Sequence, residues 1–461
     1  MTKQKTEKPA ALLINPPVYD FSLFDLFHRP LGLLRIGRWL KEAGYHVSVV
    51  DALDVFDTQS IAVLGNLRRK TNGTGKFFKQ RAVFDPESTA WADNDPAKRI
   101  GRRYSRYGII EESFAAKIAA FKPDIVLVTS GMTYWFPGVV ETVRIVRKQH
   151  PRVPVVVGGV YASLLTVHCV SNAEPDHVVA GTAWEELKRI LGQYNLPVPG
   201  KSDERRVLLD PRMWRGAGVL KLNEGCPLRC DYCASSLLCP RFTPGNGKEL
   251  MCELREVAEA CQINSFAFYD DALMYGKERG LIPFLNDAVE SGLDLSFYLP
   301  NAIHLGLLDL ETASLMKRAG FKEIRLGFES SSPVFHEQHD EKVEVDDFSE
   351  TIGILHEAGF SGSQVTAYIL AGLPGQRVGE VEESVRFVTA SGVRASIAEY
   401  SPVPGTGLWK ASAAASMFPI EDEPLYQNNS IMPLQWDGFT TGDLQRVKDL
   451  SRELSPPRAD T

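Results

Sequence analysis

The chain has 461 residues, 44% hydrophobic and 24% charged, with a net charge of −7. That length accommodates two or three domains, the acidic balance argues against a nucleic-acid partner, and no apolar run reaches the ~20 residues that span a bilayer. Seven cysteines, an odd count, behind a polar start at Met1–Pro9 argue against a disulfide scaffold and for a reducing, cytoplasmic setting.

In chain order, Ala11–Asn15 is a short apolar run ending in Pro16-Pro17, a strand and a turn. Pro30–Gly44 has helical periodicity, with Leu33, Leu34, Ile36, Trp39 and Leu40 on one side and Gly44 as a stop. Strands follow at His46–Val50, Asp124–Ser130, Val153–Gly159 and His177–Gly181, with a helix near Gly138–Lys148. Alternation of β-rich apolar runs with helices predicts a parallel, doubly wound sheet over residues 1–195. Such sheets take ligands beyond the carboxyl ends of their strands.

An insertion at 55–110 interrupts this alternation. Between Asn66 and Arg106 it carries eleven Lys or Arg and four Asp or Glu, including Arg102-Arg103-Tyr104-Ser105-Arg106-Tyr107. Such a run grips an anionic ligand or forms a solvated or packing face.

After a polar linker at 196–215, six strands are predicted at Gly218–Asn223, Ser265–Tyr269, Leu295–Leu299, Glu323–Gly327, Gln364–Leu370 and Ala395–Tyr400. Helices lie between them at Gly247–Gln262, Lys277–Ser291, Asp309–Ala319, Asp347–Ala358 and Gly379–Ser391. Six strand–helix units over 216–409 suggest a partial TIM-type barrel, with chemistry at the carboxyl ends of its strands. Residues 410–461 form a carboxyl-terminal extension.

The first barrel strand runs into Asn223-Glu224-Gly225-Cys226-Pro227-Leu228-Arg229-Cys230-Asp231-Tyr232-Cys233. Three thiolates at C-x3-C-x2-C spacing can hold three corners of an iron–sulfur cluster and leave one iron open. Zinc also takes clustered thiolates, but a structural zinc site needs four ligands, and no second C-x2-C pair exists here. His336 and His339, in the stretch Ser330–Glu341, are too few for a metal site and read as surface residues.

The cysteine run resembles the signature of the radical S-adenosylmethionine (SAM) enzymes. In that family the open iron chelates the amino and carboxylate groups of SAM, and electron transfer releases a 5′-deoxyadenosyl radical. Residues 10–195 resemble the cobalamin (B12)-binding domain found ahead of the barrel in many of these enzymes. The implied fold is α/β: an amino-terminal doubly wound Rossmann-like domain of cobalamin-binding type, then a partial (β/α)6 TIM-type radical SAM barrel. Histidine-ligated cobalamin proteins carry D-x-H-x-x-G after the first strand. Asp25-Leu26-Phe27-His28-Arg29-Pro30-Leu31-Gly32 lacks that spacing, which implies cobalamin without a histidine on cobalt.

The resemblance implies a [4Fe–4S] cluster on Cys226, Cys230 and Cys233, with SAM across the barrel strand ends. Asp270 stands where many relatives carry an acidic contact to the SAM amino group. Asn301 follows the third strand. Strand alternation puts Arg325, Gly327 and Glu329 on one face; Arg325 is expected to pair with the SAM carboxylate and Glu329 to approach the ribose. Gly372 lets the backbone approach adenine. The cobalamin cleft is expected at Ser130, Thr133, Gly158, Gly159, Tyr161 and Gly181.

The implied reaction is methyl transfer to an unactivated carbon or phosphorus centre of a small molecule or peptide. A reductant such as flavodoxin or ferredoxin supplies the electron. Rearrangement, oxidation or cyclisation with the same cofactors, and a non-catalytic iron–sulfur or zinc protein, remain open. The resemblance assigns no catalytic side chain.

Overall fold

The structure, a computed structural model, describes residues 8–83, 103–182, 184–200, 205–340 and 345–458. The chain forms two compact units, Met1–Arg69 with Thr74–Met213, and Lys70–Gly73 with Trp214–Thr461.

The first unit is built on a parallel sheet of β1 (Ala10–Asn15), β2 (His46–Asp51), β3 (Ile125–Val128), β4 (Val155–Gly158) and β5 (His177–Val179), in the order β5-β4-β3-β1-β2. Leu13 of the central β1 pairs with Val49 on one side and Leu127 on the other. Helices cover both faces, so β1 and β3 read as continuous apolar runs. Helix α1 (Leu31–Glu42) buries Leu33, Leu34, Trp39 and Leu40. Helix α2 (Phe136–Gln149) packs Val139, Val143 and Val146 into the core with Leu12, Ile14 and Val126. From β2 at one edge the chain crosses to β3 on the far side of β1. This reversal is the switch point at which doubly wound sheets open a ligand crevice.

The insertion is a packing element in its described part. Ser105–Tyr107 pairs antiparallel with Val18–Asp20 and Lys79–Arg81. Arg106 is buried, and its guanidinium forks onto the Glu141 carboxylate of α2 at 2.7 and 2.9 Å. Tyr19 adds its hydroxyl to the same carboxylate at 2.6 Å. Arg102 lies outside the described residues. The stretch leading out of the first unit is also packed. Val207 and Leu208 are buried, and the Leu208 N–H donates to the Leu34 carbonyl at 3.0 Å.

In the second unit, β6 (Gly218–Leu220), β7 (Ser265–Phe268) and β8 (Ser296–Tyr298) form one parallel sheet. A second parallel sheet holds β9 (Ile324–Glu329), β10 (Val365–Ala371) and β11 (Arg394–Glu399). Ile303, beyond β8, joins the two: its N–H donates to Arg325 O and its carbonyl accepts from Gly327 N. The six strands therefore follow one another in sequence, as in a partial (β/α)6 barrel. Phe268, Phe284, Phe297 and Phe321 fill the space behind β7 and β8, with ring centroids 5.2–5.8 Å apart. At the end of the chain, α3 (Thr441–Leu454) is capped reciprocally by Thr440 and Asp443 and bonds β11 through Ser451 Oγ and Ala395 O.

Candidate active site and cofactor cleft

The segment after β6 is fixed before it reaches the first cysteine. Asp270, at the end of β7, accepts the backbone N–H groups of Leu222 (3.0 Å) and Asn223 (2.6 Å). The buried Asn223 side chain donates to the carbonyls of Ala272 and Tyr275 and accepts from the Gly245 N–H. Glu224 and Thr243 exchange backbone bonds at 3.0 and 2.9 Å and pinch the base of the cysteine loop. Gly225 turns there with φ +72°, and a Cβ would meet the Cys239 and Arg241 carbonyls at 3.0 and 2.9 Å. Glycine is the residue that fits.

Cys226, Cys230 and Cys233 are half-buried on this loop, and none of the seven cysteines is in a disulfide. Among the described residues no three His, Cys, Asp or Glu side chains converge on a point for a single ion. A single zinc ion needs such convergence. A cubane does not, since each cysteine takes a different iron. Three half-exposed thiols on a pinched loop at the barrel mouth fit the cluster.

The two residues between Cys230 and Cys233 are both tied down. Asp231 N–H donates to His339 O (3.0 Å), and Asp231 Oδ2 faces His339 Nδ1 (3.0 Å). The Asp231 carbonyl accepts from the Leu408 N–H, two residues beyond the turn Ser401-Pro402-Val403-Pro404-Gly405-Thr406 that follows β11. Tyr232 OH donates to Asp340 Oδ2 at 2.8 Å. Burial first, then the nearby charges of Glu329 and Cys230, push the Tyr232 phenol well above its ordinary range, so it stays a donor. Its ring packs on Phe335 in an apolar cluster with Leu370, Leu373, Tyr400 and Leu434.

The structure redistributes several expected roles. Asp270 is buried and occupied by two backbone donors; its neighbour Asp271 is half-exposed and pairs with Lys221 at 3.3 Å. Arg325, buried near the start of β9, donates to Tyr368 OH (2.7 Å) and pairs with Glu323 (2.6 Å). Its two terminal nitrogens are thereby both engaged within the barrel. A bulge between Gly327 and Glu329 breaks the alternation expected along β9, because Glu329 pairs with Ile369, one residue after the partner of Gly327. Glu329 has φ +64° and lies close enough to Tyr232 for its charge to act on the phenol. Asn301 is exposed and donates to the Tyr269 and Asp270 carbonyls at 3.2 Å. Gly372 has φ +95°, open space where a Cβ would stand, and its N–H donates to Gln376 Oε1. His336 is not a surface residue, at 3% exposed, and His339 is partly buried; both bond into the cysteine-loop network. Sequence reading missed Asn223, Asp340 and His336 as loop anchors. Asn223 and Asp340 are held by contacts far along the chain, whereas the four-residue spacing of His336 and Asp340 was a local signal for their pairing.

The first unit has a cleft of about 180 Å³ at the ends of β3, β4 and β5, closed by Gly32, Leu33 and Ile36 of α1. Gly158, Gly159 and Gly181 line it, with Thr129 and Thr182 beside them. Gly159 has φ +99°, and a Cβ would stand 2.4 Å from Ser130 O. Ser130, Thr133 and Tyr161 do not line the cleft. Ser130 Oγ donates to Gly158 O (2.7 Å) and accepts from Ala162 N (3.2 Å), so it holds the glycine turn. Thr133 is buried in the turn before α2, and Tyr161 is wholly buried with its hydroxyl on His168 Nδ1 (2.7 Å). The exposed glycine backbone fits a flat ligand with a nucleotide-like tail. His28 is not among the lining residues. Its ring sits between Phe77 and Trp135, and burial pushes its imidazole below the ordinary value. Among the described residues no helix is long and apolar enough to cross a membrane.

Comparison with known proteins agrees with this geometry. The family model described as the Radical SAM superfamily matches residues 220–388, and that of the B12 binding domain matches residues 101–191. An "uncharacterized methyltransferase PH0819" of Pyrococcus horikoshii is 25% identical over 239 residues, 51% of this chain and 48% of the relative. The chain thus spans about half the length of that curated relative. Among solved structures, the radical SAM methyltransferase TsrM from Kitasatospora setae, with tryptophan substrate and a SAM analogue bound, superposes with a TM-score of 0.62 at 16% identity. That likeness covers 89% of this chain and 78% of TsrM. The cobalamin-dependent SAM radical enzyme OxsB, with aqua-cobalamin and SAM bound, gives 0.57 at 13% identity, covering 88% of this chain and 55% of OxsB. At these identities the likeness is one of fold. Residues 101–191 thus match a B12 binding domain and residues 220–388 a radical SAM domain, the domain pairing of the cobalamin-binding branch of the radical SAM superfamily.

Proposed function

We propose that the chain is a cobalamin-dependent radical SAM methyltransferase acting on an unactivated carbon or phosphorus centre of a small molecule or peptide. The observation that carries this reading is the pairing, in one chain, of the pinched C-x3-C-x2-C loop after β6 with the glycine-lined cleft at the β3–β5 ends. The methyltransferase relative and the TsrM likeness support methyl transfer over other radical outcomes.

Cys226, Cys230 and Cys233 would hold the cluster, and the Gly158–Gly159 turn and Gly181 the cobalamin. When bound, the cluster supplies the electron that cleaves SAM and the cobalamin carries the methyl group. The chain's own residues orient and exclude water. Asp270 and Asn223 set the path into the loop. Asp271, Glu329 and Gly372, at strand ends, would meet SAM through a carboxylate for its amino group, a carboxylate for its ribose and bare backbone for its adenine, with Asn301 holding the Tyr269–Asp270 strand end beside them. The apolar cluster of Phe335, Leu370, Leu373 and Tyr400 keeps water from the loop. A low-potential reductant such as flavodoxin or ferredoxin would supply the electron.

The test is anaerobic reconstitution with hydroxocobalamin, a low-potential reductant, methyl-labelled SAM and a small-molecule extract. Methyl transfer puts the label into a new product. Release of only 5′-deoxyadenosine and labelled methionine would refute the methyltransferase reading.

A further inference from the structure

We propose that His336 and Asp340 are positioning residues that fix the cluster loop and set the charge beside it. The inference rests on the assignment of the cluster to Cys226, Cys230 and Cys233. Only two residues separate Cys230 from Cys233, so whatever fixes Asp231 and Tyr232 fixes the separation and direction of those two thiolates. Both are held by one short segment, the helix Pro333–His339 and the following Asp340.

The inner part of this segment is a buried ionisable pair. His336 and Asp340 are 3% and 6% exposed. His336 Nδ1 lies 2.8 Å from Asp340 Oδ1, and its Nε2 lies 2.8 Å from the Ser330 carbonyl. A carbonyl and a carboxylate both accept, whereas a neutral imidazole donates from one nitrogen only. Two acceptors facing the two ring nitrogens require an extra proton, shared between His336 and Asp340. Asp340 spends its second oxygen on Tyr232 OH. The bond chain therefore runs from Ser330, next to Glu329 at the end of β9, through a proton-bearing pair to the residue preceding Cys233. Burying two ionisable groups gains little net stability over apolar packing, and its attested use is to specify one arrangement. Among the groups that face the pair from other elements are Tyr232 and, through it, Glu329, and the Phe328 ring lies beside His336. His339 and Asp231 form the neighbouring clamp.

The charges predict shifts of opposite sign. Asp340→Asn removes the negative partner and should raise the reduction potential of the cluster. His336→Gln removes the proton-bearing partner, leaves the carboxylate, and should lower it. Tyr232→Phe keeps the ring on Phe335 and removes only the hydroxyl, so it should speed loss of iron to a chelator severalfold with a smaller change in potential.

The experiment is an electron paramagnetic resonance redox titration of reconstituted full-length wild type and the three variants. Iron release to a chelator and circular dichroism of the unloaded proteins are measured alongside. Opposite potential shifts for D340N and H336Q, with faster iron release in all three variants, are the expected result. A loaded wild type with all three variants unchanged would overturn the proposal, and shifts of one common sign would reduce the pair to general loosening and refute its charge role. Wild-type protein that takes up no iron would refute the cluster assignment itself, a separate failure visible before any variant is compared. Should D340N or H336Q fail to fold, Tyr232→Phe alone decides: unchanged iron release there refutes the clamp.

Discussion

The carboxylate of Asp270 receives the backbone N–H of Asn223 at 2.6 Å, three residues before the first cysteine of the cluster loop. Its other oxygen receives the Leu222 N–H. A side chain at the end of one barrel strand thus shapes the chain leaving its neighbour, and the loop begins from a fixed point.

This placement has a pH signature. Burial pushes the Asp270 carboxyl up to about 7. The folded protein then holds a proton that the unfolded chain, with an ordinary carboxyl near 3.8, has released. The stabilisation associated with that proton is full below about pH 4 and is lost as pH rises towards about 7. Asp51 in the first unit, raised by burial to about 6, acts in the same direction. Urea unfolding of the unloaded protein between pH 5 and 8 should show stability falling with pH, less steeply in Asp270→Asn. Equal slopes in the two proteins would show that Asp270 does not titrate as its burial implies.

The two adjacent glycines of the cofactor cleft should behave differently. Gly159→Ala forces a Cβ to 2.4 Å from Ser130 O at a left-handed backbone position, and should cost about 1–3 kcal/mol. At Gly158 a Cβ would meet only Val179 O, at 3.5 Å. A bulky residue there, as in Gly158→Phe, should fill the cleft, leave the melting temperature nearly unchanged and abolish retention of hydroxocobalamin through gel filtration. Full retention by that variant would place cobalamin elsewhere.

The basic insertion is expected to act through its fold. Glu141→Ala strands the buried Arg106 guanidinium and removes an acceptor from Tyr19, so it should destabilise the first unit by about 3–5 kcal/mol. Arg106→Met with Glu141→Leu, which removes both charges, should recover much of that loss in the same thermal melt.

Glu329 tests the SAM site. Glu329→Gln should weaken SAM about tenfold, the loss of about 1.4 kcal/mol expected of one charge-assisted hydrogen bond, with iron content unchanged. Calorimetric titration of the reconstituted protein measures it, and unchanged affinity would make the glutamate structural.

Most of the scaffold was legible because its signals are local. The apolar run 11–15 and the periodicity of 30–44 lie within a residue or two of the strand and helix that form. The cysteine spacing fell directly after β6, as the strand pattern required. What was not legible depends on contacts distant along the chain. Alternation predicted one face for Arg325, Gly327 and Glu329, and the only local mark of the bulge that breaks it is Gly327 itself. His336 looked like a loop histidine although Asp340 follows it by four residues, because the pair is closed into a buried network only by Tyr232, far along the chain. Tyr161 followed a strand end, as a cofactor contact would, but the short helix Val160–Leu164 turns it into the core.

The central claim is that one chain carries two separate cofactor sites, a cluster on three cysteines and cobalamin in the glycine-lined cleft. Iron and cobalt analysis of the anaerobically reconstituted protein, beside the Cys226→Ala/Cys230→Ala/Cys233→Ala variant, tests it most directly. The account predicts about four iron atoms and about one cobalt per wild-type chain, and a triple variant that loses the iron and keeps the cobalt. Iron retained by the triple variant, or no cobalt bound by the wild type, would contradict it.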